Sequence, residues 1–443
     1  MPRATTLEDA RKVLDPRPLD FSGKVHERAS DPEFHVPFPE QQAGSFKLPG
    51  PITRLEKRLL TGTRDTKLFL SGHIGSGKST ELNLLMVKRE ITERFAVVPL
   101  RFEEQEWATL DSSQVLFRIA AELFHAHADK LAKNTDGLKK KLATLNERVF
   151  APVGIQMNEG TVGLEINAIF IKVKQDLKLS AKLRQQFREF GETNQSFLQD
   201  LIANLVDDIE EALTKEDGPN DLLVVVDDLD KLRSTEQHTD VFDTNLAALM
   251  APPLRVLYTV PTAVRFSADV RAEIRNNAED LFPVRVLKKA VDTWNPEDAF
   301  DDERIGFFHA LVDQRVARPL IDRAAIRLAA IYSGGVLRDF FRLLREGVLL
   351  ATYNGLPALD GTVMRYAVEE ERRKESVGMY APDYDALVHV HRTNSLRSAA
   401  DRRYLALSRV IEAFNGTVWF EANPVLWHVL EEHVKRHQQA ESG

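Results

Sequence analysis

Leu68-Phe-Leu-Ser-Gly72-His-Ile-Gly75-Ser-Gly77-Lys78-Ser79-Thr80 is a short apolar run that empties into a glycine loop. The run reads as a buried strand, and Glu81-Leu-Asn-Leu-Leu-Met behind the loop reads as a helix. Strand, GxxxxGK[ST] and helix form the setting a phosphate-cradling loop requires. Small residues at Gly72, Gly75, Ser76 and Gly77 let successive backbone N–H groups turn inward, and the helix adds the positive end of its dipole. Lys78 is expected to reach the outer phosphates and the Ser79 hydroxyl to complete the coordination of Mg²⁺, with Thr80 closing the candidate set. An ordinary glycine turn is the alternative, and the strand before and helix after it argue against it.

Such a loop needs a group that holds the metal and another that positions water. Leu222-Leu-Val-Val-Val-Asp227-Asp228-Leu-Asp-Lys231 is a continuous aliphatic run of the kind covered on both faces in a parallel sheet. At its tip Asp227 suits Mg²⁺, acting through the metal's water shell, and Asp228 suits an attacking water whose proton it would orient or accept. Asp230, beside Lys231, reads as a helix cap or surface pair. Thr259 ends the next strand, where it either hydrogen-bonds the γ-phosphate or its water, or is a buried threonine bonded to backbone. Arg338, in Ser333-Gly-Gly-Val-Leu-Arg338, is either a γ-phosphate ligand one turn into a helix or a plain surface arginine.

The rest of the chain fits an α/β class: a parallel-sheet core, a helical lid and a C-terminal winged-helix-like module. Residues 1–50, punctuated by prolines, read as an arm or linker that packs on the next domain, with a disordered tail as the alternative for the first twenty or so. Residues 51–290 alternate helices and strands, including Phe95–Phe102, Leu254–Val260 and a last strand near Phe282–Leu287. Within them, 150–192 reads as an insert of a β-hairpin around Asn158–Thr161 and a basic helix over 172–190. Helices over 305–312, 324–331 and 336–350 make the lid, 291–355. Residues 356–443 hold a charged, solvated helix at Glu369–Lys374. There follow a helix over Tyr404–Phe414, a turn at Asn415-Gly416, a strand over Thr417–Glu421 and a helix over Pro424–Val434.

Composition narrows the classes. At 443 residues, 43% hydrophobic and 28% charged, the chain fits a soluble protein of two to four domains. No run of 18 apolar residues predicts a membrane span, and the N-terminus lacks the apolar core of a signal peptide, so the expectation is cytoplasmic. With no cysteine, thiol catalysis and cysteine-ligated metals are excluded. A net charge of −8 argues against a nonspecific polyanion binder, although a local basic face is compatible with it.

On these residues the chain resembles P-loop ATPases of the AAA+ and STAND types. The strand ending Asp-Asp-Leu-Asp-Lys resembles the acidic motif of STAND and KAP ATPases. The Gly-Gly-Val-Leu-Arg338 element, the lid and the C-terminal module resemble the origin-recognition branch of AAA+ proteins. The resemblance implies ATP and Mg²⁺ as ligands, with Lys78, Ser79 and Asp227 carrying them. It makes Asp228 the water-polarising residue, Thr259 the first sensor and Arg338 the second. Lys78 and Asp227 lie 149 positions apart, and the extra length makes the 153–190 insert a candidate partner-docking surface. No arginine stands where a neighbouring subunit's finger is expected; Arg255 and Arg265 are the candidates in a homo-oligomer.

The leading expectation is an ATP switch that transmits nucleotide state to a protein effector or sensor, a role that bacterial proteins of this appearance play in antiphage defence. The alternative is a DNA-binding ATPase of the initiator or transposition kind, with His391–Arg397 and Asp401–Arg403 as a basic edge beside the wing. Against it stand the acidic total and Trp419, Phe420 and Trp427, which read as core or protein-contact residues. A small-molecule kinase is disfavoured, because nothing suggests an acceptor pocket.

Overall fold

A computed structural model of the chain describes residues 3–23, 31–39, 41–43, 46–107, 109–131, 147, 181–232, 234–289 and 292–442. These fall into two compact units, one of residues 54–70 and 85–279, the other of residues 1–53, 71–84 and 280–443. Apart from a short hairpin of β1 (Gln41–Ala43) with β2 (Phe46–Leu48), the strands form a five-stranded sheet and a C-terminal pair.

The five strands are β3 (Lys67–Ser71), β4 (Phe95–Leu100), β5 (Asp221–Val226), β6 (Arg255–Val260) and β7 (Ala278–Asp280), in the order β4-β5-β6-β3-β7. β4 and β6 both run parallel to β5, with Val224 opposite Val98 and Val256. Every residue of β6 and all of β5 beyond Asp221 is buried, as the unbroken aliphatic runs require of strands covered on both faces. One cover is the helix Ser112–Ala126, capped by Asp111, whose carboxylate accepts from Gln114 N at 2.9 Å. Packed beside it in the same core, Ala181–Leu213 buries Leu198, Leu201, Ile202, Leu205 and Ile209, an apolar stripe at helical spacing. It is kinked at Asn194, whose side chain donates to Phe190 O at 3.0 Å. The hairpin around 158–161 and the basic helix up to residue 180 lie outside the described residues.

In the other unit the helices Ile305–Arg315, Arg323–Tyr332 and Leu337–Tyr353 take the three lid positions. The last two strands, β8 (Val410–Phe414) and β9 (Val418–Ala422), pair antiparallel with Glu412 opposite Phe420. With the helices Ala381–Thr393 and Trp427–Ser442 they form an arrangement compatible with a winged-helix-like module. Among the described residues no helix is long and apolar enough to cross a membrane.

Several expectations change. Of the N-terminal arm, residues 3–14 pack as an arm rather than forming the alternative disordered tail: Thr6 caps a helix Leu7–Val13, and Ala4 N donates to Arg315 O at 2.8 Å. Residues 282–287 are not a strand of the sheet. Pro283 lacks a donor, and Val284 N bonds Gly335 O at 3.3 Å instead. The segment 404–414 is not one helix but a short turn of helix followed by β8, because Asn415-Gly416 turns a hairpin. On the charged helix, Arg372 is buried, with Nε donating to Val425 O at 3.0 Å, so not all of that face is solvated.

Candidate functional site

The glycine loop leaves β3 and ends in the helix Lys78–Val87, the strand–loop–helix order the motif demands. Lys78 is buried, and its ammonium donates to the carbonyls of Gly72 at 2.7 Å and His73 at 2.8 Å. Ser76 N donates to the same His73 carbonyl at 3.0 Å, while the Ser76 hydroxyl, wholly buried, has no hydrogen-bond partner among the described residues. Ser79 is half-buried in the first turn of the helix. Thr80 is engaged elsewhere: its hydroxyl accepts from Leu19 N at 3.1 Å and anchors the N-terminal arm. His35 Nε2 to Glu81 at 2.8 Å is a second anchor of that arm on the same helix.

The lid reaches this loop through backbone. Arg338 N donates to Gly75 O at 3.1 Å. Gly75 has a φ of +94°, and a Cβ there would lie 2.5 Å from Arg338 Cβ, so glycine is required for both conformation and approach. Arg338 is therefore placed in the first turn of Leu337–Tyr353, half-buried against the phosphate loop. Its neighbour Asp339 is half-buried, and desolvation raises its carboxyl above the usual range although the Arg342 guanidinium beside it opposes that rise.

In the sheet unit, Asp227 and Asp228 follow β5, both buried. Asp227 N donates to Leu100 O at 2.9 Å, and its Oδ1 accepts from Asp228 N at 2.8 Å. Asp228 adopts a left-handed conformation (φ 74°), uncommon for a residue other than glycine and of the kind found at functional sites. Its carboxylate pairs with Lys231, whose ammonium lies 4.7 Å from the Trp107 ring centre. The lysine thus pairs with Asp228 rather than with Asp230, and Asp230 is buried in the 3₁₀ turn Leu229–Lys231 rather than on the surface. Thr259, wholly buried, accepts from Leu229 N at 3.0 Å and donates to Val226 O at 3.5 Å. Its hydroxyl thus clamps the backbone on both sides of the two aspartates.

A family model, the KAP family P-loop domain, matches residues 55–257. Residues 55–257 thus correspond to a P-loop NTPase domain. The chain is also similar, at low identity and over most of its length, to several solved structures. Drosophila ORC bound to DNA is 12% identical at a TM-score of 0.40, over 97% of this chain and 94% of that one. The Aeropyrum pernix ORC2 protein in ADPNP–ADP complexes is 13% identical at 0.38, over 93% and 98%. A Walker-type ATPase of Pyrococcus abyssi is 12% identical at 0.39, over 95% and 99%. No curated protein matches the chain.

The other candidate residues fare differently. The Arg255 guanidinium is buried, bonded to Gly62 O at 3.0 Å and paired with Asp221 at 3.2 Å, so it ties together the amino ends of β5 and β6 rather than reaching a neighbour. Arg265 lies against Phe266, 5.8 Å from its ring centre. Of the basic edge, His391 is buried between Glu421 Oε1 at 2.9 Å and Thr293 O at 3.0 Å, Arg397 faces Asp401 at 3.5 Å, and Arg403 faces Asp383 at 2.8 Å. Trp419 and Trp427 are buried in the core of the C-terminal module. The sequence reading missed His73 and Glu412, whose rings and carboxylates meet across 339 residues with no local signal in either segment.

Proposed function

We propose that this protein is an ATP-binding and ATP-hydrolysing switch of AAA+/STAND type, cytoplasmic, slow or regulated in turnover, that passes its nucleotide state to a protein partner. The single observation that carries the switch is the backbone bond from Arg338 N to Gly75 O, which ties the first turn of a lid helix to the phosphate loop. A phosphate chain drawn into the loop competes for Lys78, and whatever moves the loop moves the lid's first turn with it. In the proposed division, 51–290 is the ATPase core with the 150–192 insert, 291–355 the lid and 356–443 the transmitting module.

Lys78, Ser79 and Asp227 are the proposed ligands of one Mg·ATP. The donor set fits magnesium: a serine hydroxyl and a carboxylate are hard oxygen ligands, and the chain holds no thiolate to favour a softer ion. The ion would neutralise charge on the phosphates. Lys78 stabilises charge on the outer phosphate oxygens, Asp228 orients water and takes its proton, and Thr259 holds the turn that carries Asp228. Arg338 in the second-sensor role would couple the lid to the γ-phosphate. By analogy alone, the setting proposed is bacterial antiphage defence. The DNA-binding reading is the alternative: His391 is held inside the fold, while Arg397 and Arg403 pair with Asp401 and Asp383 and stay exposed to solvent.

ATP turnover measured in the wild type, Lys78→Ala and Asp228→Asn tests the proposal. Asparagine tolerates the left-handed backbone at that position, so Asp228→Asn isolates the carboxylate. Lys78→Ala is expected to lose nucleotide binding, and Asp228→Asn to keep binding and lose turnover. Normal binding by Lys78→Ala would overturn the ATPase reading.

A further inference from the structure

Glu412 lies on β8, and its Oε2 is 3.0 Å from Nδ1 of His73, the residue after the first glycine of the phosphate loop. Neither side chain has any exposure to solvent. Among the described residues the second polar atom of each, His73 Nε2 and Glu412 Oε1, has no hydrogen-bond partner. Burying two such groups, half satisfied, is costly unless the contact between them fixes something. What it fixes is visible in the same residue's backbone: the His73 carbonyl receives both Ser76 N and the Lys78 ammonium. β8 also touches the lid and the segment after β7. A Cβ on Gly334 would lie 2.5 Å from Ile411 Cδ1, and Phe414 stacks on Phe282 with ring centres 5.3 Å apart.

We propose that Glu412 is a positioning residue for the phosphate loop, acting through His73, so that the C-terminal hairpin sets the loop's affinity for nucleotide and nucleotide in turn stabilises the hairpin. This rests on the ATP-binding reading above. A nucleotide phosphate that recruits Lys78 draws its ammonium from the Gly72 and His73 carbonyls, and so changes the field at the imidazole that Glu412 holds. By linkage, whatever the hairpin contributes to the loop's affinity, nucleotide returns to the hairpin. A partner that grips β8 and β9 therefore acts on the nucleotide site through one buried pair.

The test measures ATP affinity by calorimetry in the wild type, His73→Ala, Glu412→Ala, Glu412→Gln and the double alanine variant, with hydrogen exchange at residues 410–422. His73→Ala and Glu412→Ala are each expected to change Kd in the same direction by about 5- to 150-fold, the span of ordinary coupling energies. The double variant should do no more than the larger single, and Glu412→Gln, which still accepts from His73, should recover most of the affinity. ATP should slow exchange over 410–422 in the wild type and not in Glu412→Ala. Folded single variants with affinities within about twofold of the wild type, effects that add in the double variant, or wild-type exchange over 410–422 that ignores ATP would each overturn it. The exchange arm needs no variant and holds if an alanine variant fails to fold. Lys78→Ala in the same assay separates the two claims. Lost binding there with unchanged Glu412→Ala sinks the coupling alone, and normal binding by Lys78→Ala sinks the ATP reading.

Discussion

Thr259→Val is the substitution that best separates a threonine holding the acidic turn from one touching nucleotide. Valine keeps the shape and removes the acceptor, so the buried Leu229 N–H loses its 3.0 Å partner. A buried donor left unsatisfied costs about 1–3 kcal/mol. The turn it serves already carries Asp228 at φ 74°, a conformation that costs a residue with a Cβ roughly 1–2 kcal/mol and persists because neighbours hold it. Denaturant unfolding should therefore show a loss of about 1–3 kcal/mol. ATP turnover should fall about tenfold or more as Asp228 relaxes, since each ~1.4 kcal/mol of lost transition-state stabilisation is a factor of ten. ATP affinity should stay within about twofold, and Thr259→Ser, which keeps the hydroxyl, should restore both quantities. A valine variant as stable and as active as the wild type would refute the clamp. Weakened affinity with unchanged turnover would put the hydroxyl on the nucleotide instead.

Two further outcomes probe the scaffold. Burial pushes the Lys67 ammonium down to about 8, with its Nζ bonded to Pro252 O at 2.9 Å. A depressed lysine value means that the folded state carries a penalty below about pH 8 which fades as pH rises toward 10.5, where the unfolded chain also deprotonates. Wild-type stability relative to Lys67→Met should thus rise across that window by up to about 3 kcal/mol, measured in urea at several pH values; parallel pH curves would contradict it. At Gly335, φ is +83° and a Cβ would fall 1.8 Å from Val284 O, whereas Gly355, at φ +65°, has nothing within 4 Å. Gly335→Ala should cost about 3 kcal/mol or more and Gly355→Ala only about 1 kcal/mol; equal shifts in denaturation midpoint would contradict the packing argument.

The features legible in the sequence were those with local causes. The glycine loop, the aliphatic β5 with its terminal aspartates and the stripe from Leu198 to Ile209 each follow from spacing within a few residues. What escaped depends on distant partners. β8 passed for helix because its apolar residues also suit a helical face, although Asn415-Gly416 was the available sign of a hairpin. The helix Leu7–Val13 is too short for periodicity to reveal, and only Thr6 with Asp9 marked its start. Thr259 and Arg338 were open between two roles each. Their contacts, to Leu229 and Gly75, are set by tertiary packing that no window of sequence contains. His73 with Glu412 is the extreme case.

We propose that the phosphate loop and the carboxylates after β5 serve one nucleotide. Mg²⁺ dependence of ATP affinity, compared between the wild type and Asp227→Asn by calorimetry, tests it most directly. The account predicts that magnesium strengthens ATP binding to the wild type and does little for Asp227→Asn, while the two bind ATP alike without the ion. The same magnesium enhancement in both proteins would contradict it.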